Sequence, residues 1–317
     1  MISRMRRWII SGLLVATAFC AGGWAAHRKQ ENVHVQEKAR RVVRQTQQGR
    51  RAEWDALKGR MSAEIRRFNG QAGVVVVDLQ TGWSLGHQAQ RPFPAASVIK
   101  VPMMTACFQA AQEGKLDLNS NVMIRPSDKV SGSGVLKTLP GKTQVSVSVL
   151  IDWMVTQSDN TATNVLLSQL GMDYFNQHFR QLGLTGTQLS RPMMDFSLRK
   201  RGVENYTTAE DMARVLGMIY RQEAVSPKAS RAGLELLKRQ HLRDRIPALL
   251  PQGIPVAHKS GLERAVCHDA GIIFTRRGDL LICVLTQRKV GKGTSRPAKR
   301  FIARLARDAY RYVEQAP

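Results

Sequence analysis

Three short groups of residues in this chain have the types and spacing to do chemistry together. The first is Ser97-Val98-Ile99-Lys100. A hydroxyl and an amine three residues apart share one face of a helix. A serine hydroxyl is a weak nucleophile and needs a base beside it. A lysine can serve once its amine is neutral, and burial or a nearby cation favours that state. The setting is suitably apolar, with Pro94-Ala95-Ala96 before the serine and Val101-Pro102-Met103-Met104 after the lysine.

The second group is Ser158-Asp159-Asn160, between two helical stripes. Ser158 or Asp159 here can be a plain helix cap. Alternatively Ser158 relays a proton and Asn160 offers its amide to a substrate or to Lys100. The third group, Lys259-Ser260-Gly261, ends a strand. It reads as a strand end with a turn glycine, or as a cation and a hydroxyl aimed at a carboxylate, with glycine permitting close approach. A second Ser-x-x-Lys at Ser197–Lys200 is a useful control. It lies in a polar, Arg-rich stretch, so its lysine is expected to stay solvated and protonated.

Each group is common alone, but the three in this order are not. At this point the sequence resembles the class A β-lactamases and penicillin-binding proteins, which carry Ser-x-x-Lys, Ser-Asp-Asn and Lys-Thr-Gly. Ser260 stands for the usual Thr and keeps the hydroxyl. The resemblance covers about residues 52–317. It includes Gly73–Gly82, the Ser131-Gly132-Ser133-Gly134 loop and Asp159–Asn164. It implies an acyl-enzyme mechanism on a β-lactam or a related peptidoglycan-type amide, with no cofactor and no metal. Ser97 would attack the carbonyl with Lys100 as base or proton carrier. Ser158 would pass the proton to the leaving nitrogen. Asn160, Ser260 and Gly261 would contact substrate, and Lys259 with Ser260 would hold a carboxylate. The backbone N–H groups of Ser97 and Leu262 would form an oxyanion hole.

One departure matters. Class A β-lactamases carry an Ω-loop Glu two residues after a characteristic Arg, and an Asn four residues later. Arg191 fits that pattern, but the Glu position holds Met193 and the Asn position holds Ser197. A methionine cannot take a proton from water. Either Asp195, or less directly Glu204, acts as base, or deacylation is slow and β-lactams merely acylate the protein. Asp195 can equally be a carboxylate that fixes the loop through a nearby arginine. A non-catalytic cell-wall-binding module is the alternative outside enzymology.

These groups need elements to hold them. Trp54, Leu57, Met61, Ile65 and Phe68 mark one face of a helix that Asn69-Gly70 ends. Gly73–Leu79 reads as a buried strand, with a second strand around Trp83–Gly86. Helical stripes run through Val98–Gln112, Val147–Thr156, Ala162–Leu170, Met172–Leu182 and Thr208–Tyr220. Val256–Lys259, Ala270–Thr275 and Leu280–Thr286 read as strands, and Pro297–Val313 as a closing helix. The pattern predicts an α+β fold of two lobes. A sheet lobe takes about 52–93 plus 240–317, flanked by terminal helices, and an all-α lobe takes about 94–239. The resemblance makes the sheet antiparallel and five-stranded, in a β-lactamase/transpeptidase-like fold.

Charge and the chain start suggest where such a domain works. The 317 residues carry a net charge of +24. Three of those charges fall in residues 1–26, seven in 27–68 and fourteen in 69–317, so the excess is general. No helix-turn-helix, RNP or zinc-finger spacing accompanies it, and nucleic acid is not expected as a partner. Arg4, Arg6 and Arg7 precede 19 residues without a charge, Trp8–Ala26. This reads as a signal peptide or signal anchor, although the basic residues after 27 run against the orientation it needs. Residues 27–51 form a basic spacer with eight basic and two acidic side chains. The expected location is extracytoplasmic (periplasmic, secreted or anchored to the outer face of the cytoplasmic membrane), with anionic envelope polymers as candidate partners. Cys107, Cys267 and Cys283 show no metal-ligand spacing and read either as buried free thiols or as one disulfide with a free thiol left over.

Overall fold

In the computed structural model, residue 38 and residues 47–288 and 295–315 are described. The signal or anchor expected at 1–26, and the 27–51 spacer apart from 38 and 47–51, lie outside them. Two compact units divide the chain. One holds the residues up to 56 together with 315–317, and in it 47–56 are helical; the other runs from Leu57 to Glu314. Among the described residues no helix is long and apolar enough to cross a membrane.

Helix α1 (47–67) leads into strands β1 (Gln71–Asp78) and β2 (Ser84–His87). A two-residue strand β3 (Phe93–Pro94) and a 3₁₀ turn, Ala96–Ile99, then enter helix α2 (Lys100–Gln112). Strands β4 (Asn121–Ile124) and β5 (Thr143–Ser146) form a small ribbon ahead of α3 (Val147–Thr156), α4 (Asn160–Leu170) and α5 (Met172–Gln181). A short helix α6 (Phe196–Lys200), strand β6 (Tyr206–Thr207) and helices α7 (Ala209–Tyr220) and α8 (Pro227–Lys238) follow. The chain returns to the sheet in β7 (Val256–Leu262), β8 (Val266–Ile273) and β9 (Leu280–Gln287), and ends in α9 (Arg296–Gln315).

The sheet has five strands in the order β2-β1-β9-β8-β7, all antiparallel. The first and last parts of the chain therefore build one sheet with α1 and α9, and the middle builds helices α2–α8. Every residue of β8 is buried, so both faces of the sheet centre are covered. Val75, Ile272, Leu281, Cys283 and Leu285 join the core of the helical lobe. On α9, Phe301, Ile302, Leu305, Ala309, Tyr312 and Val313 are buried; Phe301 stacks on Phe68 at 4.3 Å, and Arg304 pairs with Glu64 at 2.7 Å. Cys107, Cys267 and Cys283 are buried and free.

Two differences from the sequence reading have simple causes. Helix α8, unassigned in the sequence reading, buries Ser230, Gly233 and Leu237 and packs Leu234 and Leu236 against the core. The Gly233 position is so close to Met104 that an added Cβ would lie 2.8 Å from its Cε, so the glycine lets α8 approach α2 closely. Strand β7 runs on to Leu262 because its register with β8 continues through Gly261↔His268 and Leu262↔Cys267.

Candidate active site

Ser97 sits in the 3₁₀ turn and Lys100 opens α2, so the Ser-x-x-Lys spacing straddles the join. Ala96, just before the serine, has φ +44, a left-handed conformation unusual for a residue with a Cβ. Ser158 has φ +55. Two such residues cost roughly 1–3 kcal/mol each and persist only where the surroundings over-determine them.

Lys100 is fully buried. Its Nζ donates to the Ser158 carbonyl at 2.8 Å, to Asn160 Oδ1 at 2.8 Å and to Ser158 Oγ at 3.3 Å. Lys259, also fully buried on β7, donates to the same Ser158 Oγ at 3.0 Å and to the Ser260 carbonyl at 3.0 Å. Burial, then the neighbouring Lys259 charge, hold the Lys100 amine well below the usual lysine range, against the pull of Asp159. Burial likewise brings Lys259 down to about 7; the Asp269 carboxylate opposes the fall and the Arg245 guanidinium adds to it. A neutral lysine beside a hydroxyl can accept its proton, and a hydroxyl between two amines can pass one on.

The capping alternative for the second motif resolves onto Asp159, which leaves Ser158 available. Asp159 caps α4 by accepting from Ala162 N–H at 2.9 Å. Its other oxygen accepts from Val135 N–H at 2.7 Å and Leu136 N–H at 2.8 Å. The Ser131–Gly134 loop is thereby drawn over the motif. Asn160 Nδ2 donates to the Ser131 carbonyl at 3.2 Å. Gly134 has φ +119, and an added Cβ would lie 2.3 Å from the Asp159 carboxyl carbon, so only glycine fits. On the far side, a Cβ on Gly261 would lie 3.2 Å from the Ser97 nitrogen and from Ala96 Cβ. The glycine lets the β7 backbone approach the Ser97 turn closely.

The Ω-loop stretch is pinned by its backbone. Asn164 of α4 accepts from Met193 N–H at 2.7 Å and donates to Met193 O at 3.0 Å. Asn205 accepts from the N–H groups of Ser190 and Arg191 at 2.7 and 2.9 Å. Glu204 is held by Arg191 at 2.6 Å and Arg199 at 3.1 Å, and Glu263 by Arg199 at 2.6 Å. Asp195 fixes its loop by capping α6, accepting from Leu198 N–H at 2.9 Å, rather than by pairing with an arginine.

A cavity of about 690 Å³ opens beside Ser97, within the size range of small-molecule sites. Ser97, Ser133, Asn160, Met193 and Leu262 are among its lining residues, and Asp195 and Glu204 are not. Lys100, Ser158, Lys259 and Ser260 are buried and bonded to one another behind it. The sequence reading left Ser133, Lys200, Asn164 and Asn205 without a role. Asn164 and Asn205 act on backbone groups distant in sequence, which no local spacing reveals. Among the described residues no group of three His, Cys, Asp or Glu side chains is placed to hold a metal ion.

The sequence profile of the family described as Beta-lactamase enzyme family matches residues 56–313. The chain belongs to that family. It is 29% identical over 202 residues to β-lactamase CARB-3 of Pseudomonas aeruginosa, a match spanning 61% of this chain and 68% of the relative. A solved β-lactamase from Sphaerobacter thermophilus superposes with a TM-score of 0.74 at 28% identity, covering 83% of this chain and 99% of that one. PBP-A superposes with a TM-score of 0.75 at 28% identity, covering 82% and 96%. A mutant of PBP-A was solved as an acyl-enzyme complex with penicillin G. The family carries with it the β-lactamase/transpeptidase-like α+β fold and serine hydrolase chemistry of class A type.

Proposed function

We propose that this protein is a serine acyl-enzyme hydrolase that β-lactams, or related peptidoglycan-type amides, acylate at Ser97, and that its acyl-enzyme breaks down slowly. The observation that carries the reading is Met193, held by two hydrogen bonds to Asn164 at the Ω-loop position where a carboxylate would activate water. Asp195 and Glu204 are committed to a helix cap and to arginines, and neither lines the cavity.

In the reaction Ser97 Oγ attacks the carbonyl carbon and its proton goes to Lys100. The oxyanion rests on the N–H groups of Ser97 and Leu262. As the C–N bond breaks, the proton returns through Ser158 to the leaving nitrogen. Lys259 and Ser260 hold the substrate carboxylate, and Asn160 orients both Lys100 and the substrate. Water must then cleave the ester with no side-chain carboxylate to activate it.

The test is to incubate the full chain with a fluorescent penicillin and, separately, a chromogenic cephalosporin. Stable labelling that Ser97→Ala abolishes, with little turnover, is the expected result. Rapid turnover with no persisting label overturns slow deacylation and leaves an efficient β-lactamase, which the likeness to CARB-3 favours. No labelling at all leaves a non-catalytic wall-binding module. The location that goes with this reading is outside the cytoplasm, with the 27–51 spacer near anionic envelope polymers. Release of the protein from envelopes by salt would support that tether.

A further inference from the structure

The cavity beside Ser97 has an apolar floor and two unmatched cations at its edge. Met193 and Met194 line it, and Phe196 and Leu262 stand at it with 49% and 46% of their surfaces exposed. Large apolar side chains exposed together in a concave site mark a ligand contact. Four cations also line it: Arg191, Arg199, Lys200 and Arg264. Arg191 and Arg199 are neutralised by Glu204 and Glu263. Lys200 at the end of α6 and Arg264 in the turn after β7 are exposed and hold no carboxylate among the described residues. Two elements far apart in sequence thus bring positive charge to one cavity. Its one acidic lining residue among the described residues, Glu263, is already taken by Arg191 and Arg199.

We infer that the site prefers acyl donors whose side chain carries a second negative charge on an apolar arm. The arm lies over Met193, Met194, Phe196 and Leu262, and the charge sits between Lys200 and Arg264. This charge is additional to the carboxylate at Lys259 and Ser260, and the inference rests on the proposed acylation of Ser97. A cleft lined by cations focuses its field on an anion even where the cations themselves are exposed. Lys200 belongs to the second Ser-x-x-Lys, so the solvated lysine of that motif gains a role at the rim rather than in the chemistry.

The test compares second-order acylation of the full chain by benzylpenicillin and by its α-carboxy derivative, which differ in one side-chain carboxylate. A preference of about fivefold for the carboxylated compound is expected, from two partly exposed charge contacts. The variant Lys200→Gln/Arg264→Gln should bring the ratio to about one. The control Lys142→Gln/Lys228→Gln removes the same net charge at exposed positions that do not line the cavity, and should keep the preference. Equal rates in the unmodified protein, or a preference that survives Lys200→Gln/Arg264→Gln, overturn the inference. So does a preference lost equally in the control, which would make it an effect of overall charge. Absence of acylation by either compound would overturn the proposed function itself, and so is distinguishable from failure of the preference alone.

Discussion

Lys100 and Lys259 donate to one oxygen, the Ser158 hydroxyl, at 3.3 and 3.0 Å. Two ammonium groups that close repel, so the site favours the state in which one lysine is neutral. Burial and then the Lys259 charge hold the Lys100 amine well below the usual lysine range, while Asn160 Oδ1 accepts from it at 2.8 Å and fixes its position. This arrangement suits Lys100 to take a proton and Lys259 to hold an anion.

That division predicts a bell-shaped pH profile for acylation. Lys100 must be neutral, so the rate falls as acid protonates it. Lys259 must be charged to hold a carboxylate, so the rate falls again as it deprotonates, with a midpoint near its value of about 7 in the free enzyme. Asp269 raises the Lys259 value, so Asp269→Asn should move the alkaline limb to lower pH. Stopped-flow labelling with a fluorescent penicillin as a function of pH measures both limbs. An alkaline limb unmoved in Asp269→Asn would refute the assignment to Lys259.

Ser158→Ala should leave the fold intact while cutting the acylation rate by about 10²–10⁴, the usual worth of a positioned proton carrier. Labelling kinetics alongside a circular dichroism melt separates the two effects. A rate within a factor of three of the parent would exclude Ser158 from proton transfer.

Met193→Glu should speed deacylation by about 10² or more, because Asn164 already holds the backbone of residue 193. Loss of label after dilution, and cephalosporin turnover, are the measurements. Asp195→Asn should leave deacylation unchanged, and Asp195→Ala should lower stability by about 1 kcal/mol through the lost cap. A fall in deacylation in Asp195→Asn would restore that residue as the base.

Asp159→Ala removes the acceptor of three backbone N–H groups. Each donor left buried without a partner costs about 1–3 kcal/mol. A loss of several kcal/mol in urea unfolding is expected, with slower labelling as the Ser131–Gly134 loop loosens. A variant as stable as the parent would show that the loop does not depend on this carboxylate.

The elements with strong periodicity were legible before any coordinates. The four-valine run of β1, the α3 stripe at Val147–Thr156 and the amphipathic α9 follow directly from residue pattern. The ribbon β4–β5 and helix α8 were not, since the ribbon rests on pairing and α8 buries small residues beside its leucines.

The same division holds for the site. The chemical inventory is set by the order of the amino acids. It comprises a serine with a lysine three residues on, a Ser-Asp-Asn, a Lys-Ser-Gly, and a methionine in place of a carboxylate. Those are covalent facts, independent of folding. Tertiary structure alone decided which of the neighbouring side chains each would meet. It assigned Asp159 to capping and Ser158 to the two lysines, and it buried both amines, which is what lowers their affinity for protons. It also turned Asp195 and Glu204 away from the cavity and brought Lys200 and Arg264 to its edge. Desolvation and charge proximity are properties of position in space, and only the folded chain fixes them.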